Sequence, residues 1–174
     1  MAAGTDRSMW IGESFAGDGA NAAHVNVLVG PRSGPVGTAW ATSLATPRVG
    51  YIPFLAVLAP NLPCKPATLF VNKADLRGKR HETLTWGAAQ AGVARGVQEA
   101  MAEGAMAPEA AEQWCVIVAV WVDWEADDAE QVYANNHRAT LDAIRCAMRG
   151  APELGECVDA MKNPHNPYFT PKPS

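Results

Sequence analysis

The apolar positions of this chain follow two periods. From His24 to Val29, Val25, Val27 and Val29 alternate with His24, Asn26 and Leu28. A period of two marks a half-buried strand. The valines go to one face, and His24 and Asn26 go together to the other. The Asp18-Gly19 turn opens this stretch and Gly30-Pro31 closes it. Met9 to Phe15 predicts a short strand leading into that turn. Phe54 to Ala59 predicts a buried strand, broken by Pro60-Asn61-Leu62-Pro63 and followed by the irregular Cys64-Lys65-Pro66. Ala67 to Lys73 predicts another strand, with Leu69, Val71 and Lys73 on one face. Trp114 to Val122 is almost unbroken apolar sequence, which predicts the centre of a sheet.

The helical period appears between these strands. Val36, Ala39, Trp40, Ser43 and Leu44 predict a helix over 36–45, with Pro35 suited to its first turn. Gly87 to Gly104 predicts a helix whose apolar stripe is Val93, Val97, Ala100 and Met101, with Gln90 one turn earlier on much the same side. Pro108 to Glu112 predicts a brief helical turn. Glu125 to Arg149 predicts the last long helix, with Asp127 and Asp128 at its positive end and Arg145 and Arg149 at its negative end. Ala74 to Thr85 is polar and reads as a solvated face carrying Arg77, Lys79, Arg80 and His81. The expected organisation is a flexible leader over 1–8, a single domain over 9–150, and a proline-bearing tail over 151–174. Strands and helices intermix, so the expected class is α+β or α/β.

Composition narrows the function. The chain has 174 residues, 48% of them hydrophobic and 18% charged, enough for one core without disulfide or metal staples. Its net charge is −4 and no Lys/Arg cluster stands out, which argues against nucleic acid as the main partner. No apolar run approaches a membrane span. Cys64, Cys115, Cys146 and Cys157 show no CxxC spacing, so reduced thiols and a cytoplasmic location are expected. His24, His81, His137 and His165 have no ligand spacing with these cysteines, and no metal is assigned. His24 is the side chain best able to exchange a proton near neutral pH. On pattern alone, a structural histidine on a strand is the commoner case.

Four stretches then point to a family. They are IGESFAGDGANAAHVNVLVGP, LAVLAPNLPCKPATLFVNK, GAAQAGVARGVQEAMAEG, and WEADDAEQVY followed by RATLDAIRCAM. The chain resembles the formaldehyde-activating enzymes of one-carbon metabolism across most of Ile11 to Pro152, with leader and tail outside. The resemblance implies an α+β fold like the second domain of ribosomal protein S5, a mixed sheet packed with helices. It also implies a homopentamer with sites between subunits. The implied reaction is condensation of formaldehyde with tetrahydromethanopterin, a co-substrate, to 5,10-methylenetetrahydromethanopterin and water. No prosthetic group is implied. The catalytic histidine falls on His24, and the pterin contacts fall on Asn26, Leu55, Lys73, Asp75 and Gln90. The family has aspartate at Asn26 and threonine at Asp75, so a carboxylate relocated across the pocket is one expectation. A family histidine is replaced by Asp123, and two tyrosines by Asn135 and His137. These departures leave open a paralogue that binds a pterin or formaldehyde as carrier or sensor with little turnover.

Overall fold

A computed structural model of the chain describes residues 8–172; the expected leader, apart from Ser8, lies outside them. The architecture is mixed α+β. Seven strands are described: β1 (Trp10–Ala16), β2 (Ala23–Pro31), β3 (Phe54–Leu55), β4 (Val57–Ala59), β5 (Leu62–Pro63), β6 (Ala67–Asn72) and β7 (Trp114–Trp121). The helices are α1 (Pro35–Ala45), α2 (Gly78–Thr83), α3 (Gln90–Ala102), α4 (Ala110–Gln113), α5 (Ala129–Met148) and α6 (Leu154–Ala160). The main sheet has five strands in the order β1-β2-β7-β6-β3. Only β6 and β7 run parallel to each other. The apolar run Trp114–Trp121 is the middle strand, as its lack of alternation requires.

The inner face of the sheet carries the core. Val25, Val27 and Val29 of β2, Phe70 of β6, and Val116, Val118 and Val120 of β7 are buried there. They pack with Val93 and Val97 of α3 and with Val132, Ala139 and Ile144 of α5. Each fully buried Val or Leu contributes about 1.5–3 kcal/mol. Two glycines set how closely the layers approach. A Cβ at Gly12 of β1 would lie 2.0 Å from the Ala143 carbonyl oxygen of α5. One at Gly96 of α3 would lie 2.8 Å from the His137 carbonyl oxygen.

Three expectations are corrected. Phe54 to Ala59 is not one buried strand. Phe54 and Leu55 join the main sheet, whereas Val57–Ala59 pairs with Leu62–Pro63 in a small hairpin whose upper residues are exposed. The chain changes partners at Ala56, whose N–H donates to Thr68 O and whose carbonyl accepts from Cys64 N–H. Asn61, with φ 66, supplies the left-handed residue at the hairpin tip. The solvated face expected over 74–85 holds for Arg77, Lys79 and Arg80 but not for His81. Helix begins at Gly78 and passes through a π-helical stretch, Leu84–Ala89, into α3, so Gly87 lies inside helical structure. His81 within it is buried, accepting from Arg77 N–H at Nδ1 and meeting Val122 O at Nε2. Finally, the last long helix starts at Ala129, because the Asp128 carboxylate caps it by accepting from the Glu130 and Gln131 amides.

Candidate functional site

The β1–β2 hairpin and the end of β6 build the site on the outer face of the sheet. Register places Phe15 opposite His24 and Glu13 opposite Asn26. On the other side of β2, Trp121 is opposite His24 and Ala119 is opposite Asn26. Directly paired residues present their side chains on one face, so all these groups gather away from the core. The alternation expected for β2 is present: its valines are buried, and His24 and Asn26 are half-buried.

His24 is held from two sides. The Phe15 ring lies flat against its imidazole, with centroids 3.9 Å apart and planes 9° from parallel. The Glu13 carboxylate reaches diagonally across the strand pair, bringing Oε1 to 3.1 Å from His24 Nε2. Lys73 follows β6, held in line by its N–H donating to Val120 O. Its Nζ donates to Asn26 Oδ1 at 2.7 Å. The result is a carboxylate, an imidazole, an amide and an ammonium side by side.

Burial and charge tune these groups. Burial lowers the His24 pKa from its ordinary 6.5, the Lys73 ammonium pushes the same way, and the Glu13 carboxylate pulls against both. Burial brings Lys73 down to about 8, again opposed by Glu13. A lysine that faced a carboxylate would be held higher; here its hydrogen-bond partner is a neutral amide.

Only half of the outer face is covered. Val36, Ala39 and Trp40 of α1 pack with Leu28, Leu69, Val71, Cys115 and Ile117. The His24 half borders the C-terminal segment instead. Tyr168 meets Phe15 edge-on at 6.3 Å. A cavity of about 440 Å³ lies between Glu13 and Phe15 on one side and His165, Asn166 and Pro167 on the other. That size is in the range of small-molecule sites. A second cavity of about 230 Å³ is lined by Arg32, Gly37, Trp40, Ala67 and Cys115, at the opposite end of β2 from His24.

The expected site residues divide into two groups. His24, Asn26 and Lys73 are brought together. Leu55 pairs with Leu69 on the far edge of the sheet and is exposed. Gln90 is buried, and its amide is engaged by one backbone unit, accepting from Val57 N–H and donating to Val57 O, both at 3.1 Å. Strand β6 ends at Asn72, so strand alternation does not extend from Lys73 to Asp75. Asp75 lies against the Tyr51 loop, where its charge raises the tyrosine pKa, and its backbone oxygen accepts from Trp124 Nε1. Asn135 donates to Asn21 O, tying α5 to the β1–β2 connection, and His137 pairs with Glu99 of α3 at 2.8 Å. Asp123 accepts from Glu125 N–H.

Sequence reasoning overlooked Glu13 and Phe15. The signal was available: pairing the two strands back from the turn sets Phe15 against His24. Two tryptophans of β7 differ in setting: Trp114 stacks on Trp10 at 4.7 Å, while Trp121 borders His24.

Comparison with known proteins now gives this site a context. The formaldehyde-activating enzyme (Fae) family model matches residues 11–169. The chain belongs to this family. Its function is accordingly that of a formaldehyde-activating enzyme. The chain is 40% identical over 158 residues to a 5,6,7,8-tetrahydromethanopterin hydro-lyase of Methanosarcina barkeri, covering 91% of this chain and 89% of the relative. It is also 40% identical to the bifunctional enzyme Fae/Hps of Methanosphaera stadtmanae, covering 85% of this chain and 36% of that one. With the corresponding protein of Methanococcoides burtonii the identity is 38%, over 84% of this chain and 37% of the relative. The family match extends beyond Pro152 into the C-terminal segment beside Phe15, which the motif resemblance left outside.

Proposed function

We propose that this enzyme condenses formaldehyde with a tetrahydropterin, tetrahydromethanopterin first among them, with His24 as general acid. The observation that carries the reading is the cluster of Glu13, His24, Asn26 and Lys73 on the uncovered half of the sheet face. One ligand amine attacks formaldehyde and gives a carbinolamine. His24 protonates the departing hydroxyl, water leaves, and an iminium forms. The second amine closes the ring and releases a proton, which restores His24. Proton transfer of this kind contributes roughly 10²–10⁴-fold. Asn26 and Lys73 orient the ligand, and holding the reactants together adds a proximity term. Leu55 and Asp75 complete the ligand contacts when subunits associate, and Gln90 supports the ligand site by holding the 57–63 hairpin through Val57.

His24→Ala should slow condensation by about 10²–10⁴-fold while leaving pterin affinity within a few-fold. A rate unchanged from the parent enzyme would remove His24 from the mechanism. Binding of a pterin by the parent protein without any turnover would instead favour the carrier or sensor role.

The assembly proposed is a homopentamer in the cytoplasm. Ile11, Val49, Ile52, Leu55, Leu58 and Leu62 are all exposed, which is apolar surface suited to a subunit interface. No helix among the described residues is long and apolar enough to cross a membrane. Light scattering that finds a stable monomer at micromolar concentration would overturn the assembly.

A further inference from the structure

We propose that Glu13 is the positioning residue of the reaction: it holds the Nε2 side of the His24 imidazole, so that the catalytic proton is delivered from Nδ1. The inference rests on the reading of His24 as the acid.

Three observations converge on it. First, Oε1 of Glu13 is 3.1 Å from His24 Nε2, a separation at which a carboxylate faces one ring nitrogen and not the other. Second, the contact is built into the sheet. Glu13 and His24 are diagonal neighbours in a regular antiparallel ladder, set by the pairing of Phe15 with His24 and of Glu13 with Asn26. Long side chains span such diagonals. The stacked Phe15 ring holds the imidazole plane, and within that plane the Glu13 contact selects the ring orientation that turns Nε2 toward the carboxylate. Third, Glu13 has no competing partner of its own among the ion pairs of the described residues, whereas the neighbouring ammonium, Lys73, is bonded to Asn26.

The charged groups around His24 explain why the contact matters. From β1 comes Glu13. After β6 comes Lys73, which opposes protonation of the ring. From β7 come Trp121 and Ala119, without charge. From the C-terminal segment His165 lines the same cavity as Glu13. With burial and Lys73 both disfavouring the imidazolium, the Glu13 carboxylate is the group that keeps His24 able to carry two protons. In that form Nε2–H faces Glu13 and Nδ1–H is free for the leaving hydroxyl. Deprotonation then occurs at Nδ1, and the neutral ring keeps its proton on Nε2.

The experiment uses the full chain with ¹⁵N-labelled histidine, the His24 signals being identified by their loss in His24→Ala. The ring-nitrogen shifts are followed through pH, and condensation rates are measured over the same range. In the parent protein the neutral His24 should carry its proton on Nε2. Glu13→Gln keeps the size and removes the charge. It should lower the His24 titration, move the rate profile to lower pH by the same amount, and reduce the neutral-pH rate about tenfold for each unit moved. The Michaelis constant for the pterin should change little, and Glu13→Asp should recover part of the loss. A neutral ring protonated on Nδ1, or a titration that Glu13→Gln leaves in place, would overturn the proposal. So would a titration that moves while the rate profile stays. Failure of the underlying reading is seen separately, as a His24→Ala rate equal to that of the parent.

Discussion

The two faces of one sheet do different work, although they are made by alternate residues of the same strands. On the inner face, Val25, Val27 and Val29 are fully buried beneath α5. One residue away in each case, His24, Asn26 and Leu28 look outward. The polar groups of the two sides are also satisfied differently. Gln90, buried on the helix side, spends its amide on the backbone of Val57. Lys73 and His24, outside, have side-chain partners, Asn26 and Glu13, which a ligand can join or displace. Backbone partners fix a fold, whereas side-chain partners remain responsive to charge and pH. A single hairpin therefore carries stability on one parity and chemistry on the other.

That contrast makes predictions that differ in size. The largest lies on the inner face. Phe70 is fully buried in the core, so Phe70→Ala should cost about 3–5 kcal/mol of stability, read by denaturant unfolding. His24→Ala, on the opposite face, should leave unfolding within about 1 kcal/mol of the parent while removing activity. Comparable stability losses from the two would break the division between faces.

Next comes Gln90. Gln90→Ala leaves both polar groups of Val57 without their partner and should cost about 1–3 kcal/mol of stability. If Gln90 contacts the pterin only by shaping the 57–63 hairpin, affinity should fall in step with stability. An affinity loss with unchanged unfolding would show a direct contact and place Gln90 with the outer-face group.

The smallest effect is the pH dependence of Lys73. Its folded pKa is about 8, against about 10.4 in an unfolded chain. Between these values the unfolded chain holds a proton that the folded chain has released, so stability rises with pH across that window. The contribution of Tyr51 runs the other way, but only near and above its ordinary 10.0, because its folded pKa is raised. Burial also raises Cys64 to about 11 and Cys115 above its ordinary 9.0, which opposes the lysine from near pH 9 upward. The parent should therefore gain stability from pH 8 to about 8.5, and Lys73→Met should flatten that rise. Asn26→Asp should flatten it too, since a carboxylate beside the ammonium restores its ordinary pKa. A rise that survives both changes would remove Lys73 as its source.

The pattern of the chain was enough for much of this. A period of two in β2 determined which residues face the core and which face outward, because side-chain direction along a strand is local geometry. The unbroken run Trp114–Trp121 determined the central strand, because only a strand covered on both faces can be apolar throughout. His24, Asn26 and Lys73 were legible as one group for the same reason, once the family's motifs marked them. The tertiary structure decided what depends on partners distant in sequence. Phe54 to Ala59 reads as one strand, yet Ala56 divides it between Thr68 and Cys64. His81 sits in a polar segment, yet Arg77 and Val122 bury it. Glu13 looks like any exposed carboxylate on an alternating strand. Only the register of β1 against β2 brings it within 3.1 Å of His24. Local pattern sets the face a residue occupies, but charge and hydrogen bonding act over a few ångströms, and which groups come that close is settled by the folding of the chain.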